Sequence, residues 1–232
     1  MEKLFKKYET LFSILLIIIY LIINMICIKT FGMFDYRTTI INTIFSILII
    51  ILMITLKRIK YYGLTKPKYL KETMYFIPLL IIISVNLWEG INIINTKKEI
   101  VFYILTMINI GFLEEIIFRG FLFKMMSKDN VNSAIIVTSI TFGIGHIINL
   151  FNGTSFIPTI FQIISAISIG YLFVTIFHKT KSLIPSIITH ILINSLSIFT
   201  GSNELIFYIS STFLIIFPLL YSMYINIKIK TN

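Results

Sequence analysis

Long apolar stretches, more than any motif, limit what this chain can fold into. Runs of roughly 20 apolar residues, enough to cross about 30 Å of hydrocarbon, recur along the whole sequence. They cover residues 11–28, 38–56, 74–94, 100–126, 132–150, 156–177, 183–200 and 205–227. With 57% hydrophobic and 13% charged residues, the composition excludes a soluble globular protein. The sequence therefore predicts an all-α, polytopic membrane helix bundle of about eight transmembrane helices.

The segments between these runs are too short to fold separately. We therefore expect residues 1–232 to form a single membrane domain. The first run lacks a small-residue cleavage site and is followed directly by another run, which is typical of a retained helix and not of a signal peptide. The single cysteine, Cys27, excludes an intrachain disulfide.

Basic residues alternate between the two ends of the predicted bundle. Fifteen of the 20 Lys and Arg residues fall within residues 3–7, 57–71, 124–128, 179–181 and 228–230. We call this the basic-rich end. The basic-poor end holds Lys29, Arg37, Lys97 and Lys98. The positive-inside rule places the basic-rich end, with both termini, in the cytoplasm, and it explains the net charge of +10 without nucleic acid as a partner. Residues 57–72 are either a surface-lying helix or a solvated loop, and the loop is favoured.

Three charged residues interrupt the fourth run. Glu114, Glu115 and Arg119 lie where a charge costs at least a few kcal/mol, so they should face protein or water and mark a functional site. Glu115 and Arg119 are spaced i, i+4 and can form an ion pair along one helix face. Glu114 is rotated about 100° from Glu115 on an α-helix, so it can face another helix or a pocket.

Polar groups that could interact with Glu114 occur in two later runs. His146 lies in the fifth run, and His190 and Asn194 share one helix face in the seventh. At 1.5 Å per residue, these groups and Glu114 reach similar depths in the membrane. Gly143 and Gly145 would let a neighbouring helix or a substrate approach His146 closely. His178, beside Lys179, is expected to be an interfacial residue.

The three groups together resemble a known family. The type II CAAX-prenyl endopeptidase and bacteriocin-processing family, also called Abi or CPBP intramembrane proteases, carries EExxxR, FxxxH and HxxxN or HxxxD on successive helices. This sequence matches that order throughout, within a motif-bearing core at about residues 100–200. The matching positions are Glu114, Glu115 and Arg119, then Phe142 and His146, then His190 and Asn194.

The resemblance implies peptide-bond hydrolysis within the membrane. Under this hypothesis Glu114 is the general base and acts with His146 on a water molecule. His190 and Asn194 donate hydrogen bonds to the developing oxyanion. Glu115, Arg119 and Phe142 support the site. No cofactor is favoured, because an HExxH pair is absent and Asn194 beside His190 fits an oxyanion site. A zinc version would use Glu114, His146 and His190 as ligands.

Two non-enzymatic interpretations compete with the protease. A proton-coupled transporter would also need buried charges, but the sequence lacks obvious paired halves with interrupted helices. A bacteriocin-immunity protein would bind a peptide without cutting it. The expected partners are the lipid bilayer and a peptide or membrane-anchored protein substrate. The Ile-, Lys- and Asn-rich composition is typical of AT-rich genomes, which favours a bacterial or archaeal plasma membrane.

Overall fold

The computed structural model describes residues 8–68 and 76–229, and this part of the chain is built from helices. In chain order they are α1 (Glu9–Phe31), α2 (Tyr36–Thr55), α3 (Ile77–Leu87), α4 (Lys97–Met126), α5 (Val131–Gly145), α6 (Ile148–Phe151), α7 (Phe156–Thr180), α8 (Ile184–Phe199) and α9 (Glu204–Lys228). Each of the eight predicted runs overlaps one of these helices or, for the fifth run, the α5–α6 pair.

The polytopic helical bundle predicted from the apolar runs is confirmed. Within the described residues, α1, α2, α4, α5 with α6, α7 and α9 are long and apolar enough to cross a membrane, whereas α3 and α8 are shorter. The number of crossings and the cytoplasmic position of the termini stay predictions. Residues 57–68 form turns, as a loop would. Residues 69–72 of that loop and residues 74–75 of the third run lie outside the described residues.

Helix starts follow the local sequence. Side chains of Asp35, Asn130 and Asn203 each accept a backbone N–H bond at the start of a helix. Thr96 and Glu99 cap each other reciprocally at the start of α4. Such caps satisfy N–H groups that have no partner in the first helical turn. Prolines stand in the first turn of α3 and α8, where their missing N–H costs nothing.

Helix α7 lies at the centre of the bundle and packs along α5 and α9, while α4 packs against α2 and α8. The α5–α7 contact is close because Gly143 has no side chain. A Cβ atom there would lie 2.3 Å from Ile167 Cγ1 and 2.8 Å from the Ile163 carbonyl oxygen. The two backbones therefore meet directly beside the segment that carries His146.

The bundle is solidly packed towards its basic-rich end. A continuous core of fully buried side chains fills that half, including Tyr62, Leu113, Ile116, Ile117, Phe121 and Phe177, each at most 1% exposed. Glu9, which is buried, lies 3.6 Å from Arg58 and forms a second ion pair with Lys128. These ion pairs tie the loops after α2 and α4 to the start of α1.

Candidate active site

The residues of the three motifs converge on one cavity. Glu114, Phe142, His146, His190 and Asn194 all line a cavity of about 360 Å³, enclosed mainly by α1, α4, α5, α7, α8 and α9. Helices α4 and α8, together with the end of α5 and the turn after it, therefore deliver these side chains to a shared space. The remaining two predicted residues, Glu115 and Arg119, do not line the cavity and lie directly behind its wall.

His190 joins the two adjacent carboxylates of α4. Its Nδ1 lies 2.9 Å from Glu115 Oε1, and its Nε2 lies 3.4 Å from Glu114 Oε2. A ring nitrogen at hydrogen-bond distance from a carboxylate oxygen acts as the donor, because a carboxylate can only accept. Glu115 therefore fixes the proton on Nδ1 and turns Nε2 towards Glu114.

Arg119 compensates the charge of Glu115 from one turn further along α4. Its Nη1 lies 3.0 Å from Glu115 Oε1, and both side chains are at most 1% exposed. The guanidinium carbon lies 4.0 Å from the centre of the Phe142 ring and 5.9 Å from that of Phe173. Ring faces stabilise a cation electrostatically. The buried guanidinium is thus held by one carboxylate and two aromatic faces.

Phe142 also sets the spacing of the two imidazoles. Its ring centre lies 5.4 Å from that of His146 and 5.7 Å from that of His190, and both contacts are edge-on. With Arg119 against its face, this one ring contacts all three cationic or potentially cationic side chains of the site. A smaller residue here would remove the surface against which all three are oriented.

Regular helix geometry breaks down where the site residues lie. Glu114 is the last residue before a π-helix that runs over Glu115–Phe123, a rare conformation that recurs at functional sites. Helix α5 ends at Gly145, so His146 lies in a turn. In α8, Asn194 comes just before the tighter turn Ser197–Phe199. The sequence predicted uninterrupted helices at each of these places. Irregular backbone at membrane depth is tolerated where it lines a cavity.

Tyr20 is a residue of the site that the sequence reasoning missed. Its hydroxyl donates a hydrogen bond of 2.7 Å to Glu114 Oε1, and the side chain is only 2% exposed. It lies on α1, which carries none of the three motifs. A signal was present, because Tyr20 and Asn24 are spaced i, i+4 in an otherwise apolar helix and both line the cavity.

Two further contacts, also missed, hold the end of α8 in place. Asn86 in α3 donates a hydrogen bond of 2.6 Å to the backbone oxygen of Ile193. The hydroxyls of Tyr103 and Ser197 are 2.7 Å apart. Since Ile193 and Ser197 flank Asn194, these bonds fix the backbone that presents the Asn194 side chain. Isolated polar residues in apolar helices were the available signal.

The described residues do not form a ready-made metal site. Within residues 8–68 and 76–229, no group of three or more His, Cys, Asp or Glu side chains is arranged to hold a metal ion. His190 contacts the two carboxylates of Glu114 and Glu115. The third histidine, His178, lies in the last turn of α7 with its ring edge-on to Phe123 at 6.2 Å.

The fold and the site define a multi-pass membrane protein with a buried carboxylate–histidine cluster on a cavity wall. Residues 96–196, a little under half of the chain, match the family model described as Type II CAAX prenyl endopeptidase Rce1-like. This match confirms the resemblance carried by the three motifs: residues 96–196 are similar to the CAAX protease family. No curated protein and no solved structure matches the chain. The family supports a membrane-embedded protease of the CAAX type in general.

Proposed function

We propose that this protein is an intramembrane endopeptidase that hydrolyses a peptide bond with a water molecule activated by Glu114 and His146. The observation that carries the proposal is the position of His190, which contacts both Glu114 and Glu115 on the wall of a cavity shared with His146 and Asn194. A base and candidate oxyanion donors thus face one space. Amide hydrolysis needs both groups close together.

In the first step, Glu114 takes a proton from the water as its oxygen attacks the substrate carbonyl. His146, in the turn after α5, holds the water in place. Glu114 then returns the proton to the leaving amine as the C–N bond breaks, so the products are an amine and a carboxylic acid, which loses its remaining proton to solvent. Tyr20 donates to the first carboxylate oxygen of Glu114, which leaves the second for proton transfer.

The contacts of His190 support its oxyanion role. Glu115 holds its Nδ1 at 2.9 Å, and its Nε2 lies 3.4 Å from Glu114 on the wall of the cavity. In this proposal Nε2 is the ring position that donates to the tetrahedral intermediate, together with the Asn194 amide, which lines the same cavity. Donors of this kind, when preorganised, are worth about 3–4 kcal/mol of barrier each.

The decisive test compares the peptides released by cells that carry the wild type, Glu114→Gln or Glu204→Gln. Glu204 is an exposed carboxylate at the start of α9, so its substitution serves as the matched control. We expect products that are present with the wild type and the control and absent with Glu114→Gln. Unchanged products with Glu114→Gln would refute the assignment. If the protein binds an intact peptide without cleaving it, the immunity-protein interpretation would replace the protease assignment.

A further inference from the structure

Four lysines meet at the basic-rich end of the bundle, and we call them the lysine cluster. Lys124 lies in the last turn of α4, Lys179 and Lys181 lie at the end of α7, and Lys68 belongs to the loop after α2. The charges of Lys68 and Lys179 both act on Lys181, and the charge of Lys181 acts on Lys124. Like charges held this close destabilise the fold unless something offsets their repulsion.

Hydrogen bonds hold the loop after α2 against the end of α7. The backbone N–H of Lys68 donates to the carbonyl oxygen of Thr180 at 2.9 Å. The Ser182 hydroxyl donates to the carbonyl oxygen of Thr65 at 2.5 Å. The backbone of Lys68 is thus fixed beside the end of α7, and its charge stays close to that of Lys181. The fold itself therefore brings these like charges together.

The partners of the lysine cluster are uncharged. Among residues 8–68 and 76–229, no carboxylate forms an ion pair with any of the four lysines. Lys124 instead places its Nζ 5.1 Å from the ring centres of both Tyr61 and Phe177. The Nζ of Lys179 donates to the backbone oxygen of Ile229 at 2.8 Å. Rings and carbonyl oxygens carry no net charge, so the cluster keeps an excess of positive charge.

Lys181 bears the energetic cost of this arrangement. Its side chain is partly buried. Burial lowers the pKa of the Lys181 ammonium group, and the charges of Lys68 and Lys179 lower this pKa further. A bound anion would favour the charged form and offset both effects.

The positive-inside rule alone does not account for the lysine cluster. That rule requires basic residues near helix ends, and exposed side chains such as those of Lys57 and Lys60 satisfy it without burial. Lys128, at the same end, forms an ion pair with the buried Glu9. The lysine cluster differs from both cases, because it combines partial burial with the approach of like charges.

We infer that the lysine cluster binds the phosphate group of an anionic phospholipid. Lys124 lies in the last three residues of α4 and Lys181 directly follows α7, and both helices are long enough to cross a membrane. The cluster therefore lies at the level of the headgroups, where anionic lipids attract basic residues. None of the four lysines lines the cavity of the candidate active site. The lipid site is thus separate from that cavity and does not depend on the proposed protease function.

Thermal unfolding of the purified protein in a neutral detergent tests the lipid site. Phosphatidylglycerol, phosphatidylcholine and inorganic phosphate are titrated separately. We expect only phosphatidylglycerol to raise the unfolding temperature, because a ligand of the folded state stabilises it. The double variant Lys124→Gln/Lys181→Gln should need at least about tenfold more phosphatidylglycerol for the same increase. The control Lys57→Gln/Lys60→Gln loses the same charge from exposed positions at the same end and should respond as the wild type does.

The single variant Lys181→Gln gives a second measurement without lipid. Because it removes a repelled charge, its unfolding temperature should be no lower than that of the wild type. A lower temperature would show that the charge is already compensated and would overturn the inference. An unchanged lipid response in the double variant, an equal loss in the control variant, or equal stabilisation by phosphatidylcholine would overturn it as well. Equal stabilisation by inorganic phosphate would identify a free anion as the ligand and refute the lipid assignment.

Discussion

The contact between Tyr20 and Glu114 leads to the sharpest mutational prediction. Tyr20→Phe removes one hydroxyl and keeps the ring, which also packs 6.2 Å from that of Phe45. The lost bond is a 2.7 Å donation to a carboxylate oxygen in a buried site. Hydrogen bonds to charged groups contribute about 1.5–3 kcal/mol, which corresponds to roughly a 10- to 100-fold change in rate.

We expect that loss to fall on kcat and not on KM. Tyr20 contacts Glu114, the proposed base, so removal of its hydroxyl leaves the Glu114 carboxylate free to rotate away from the water. The cavity that receives the peptide keeps its shape, because the ring remains. An interaction that matters mainly in the transition state lowers kcat and kcat/KM equally.

The assay follows cleavage of a peptide identified by its dependence on Glu114, with purified protein. Tyr62→Phe is the control, since Tyr62 is also fully buried, at 0% exposed, but does not line the cavity. Thermal unfolding checks that both variants fold as the wild type does. A kcat for Tyr20→Phe within twofold of the wild type would refute the orienting role. An equal loss of kcat in Tyr62→Phe would show that the effect arises from general packing and not from the contact with Glu114.

Three further predictions concern packing, charge and metal. Gly143→Ala should lower the free energy of unfolding by about 1–3 kcal/mol because of overpacking against α7. Gly145→Ala should be tolerated, because the nearest neighbour of its new Cβ atom would lie 3.7 Å away. Equal unfolding temperatures for the two variants would contradict this prediction. Arg119→Met leaves Glu115 buried without its guanidinium partner and should cost about 3–5 kcal/mol. Adding Glu115→Gln should recover part of that loss. An Arg119→Met variant as stable as the wild type would show that the ion pair does not contribute to stability. Exhaustive chelation should leave the cleavage rate unchanged, and a loss of activity that zinc restores would refute the metal-free mechanism.

The class of fold could be predicted from the sequence because membrane insertion leaves a strong pattern. Apolar runs of sufficient length predict helices, since every backbone group must be paired within lipid. The buried charges stood out for the same reason: Glu114, Glu115 and Arg119 are costly in an apolar run. The convergence of His146 and His190 on Glu114 could be inferred from motif order, although not their distances.

The details that shape the site could not be predicted in this way. The π-helix after Glu114 and the end of α5 before His146 depend on packing between helices, and hydropathy patterns do not encode that packing. The role of Tyr20 could not be predicted, because a tyrosine in an apolar helix is usually a packing residue. Its partner lies 94 positions away, so only the folded chain reveals the contact.

The ion pair within α4 bears on how the protein is made. Glu115 and Arg119 leave the ribosome within a few residues of each other, so the helix carries its own charge compensation when it enters the bilayer. His190 follows 75 positions after Glu115 and joins the cluster only once α8 has been synthesised and inserted. The cluster is therefore completed late, and chains interrupted before α8 would lack both His190 and Asn194.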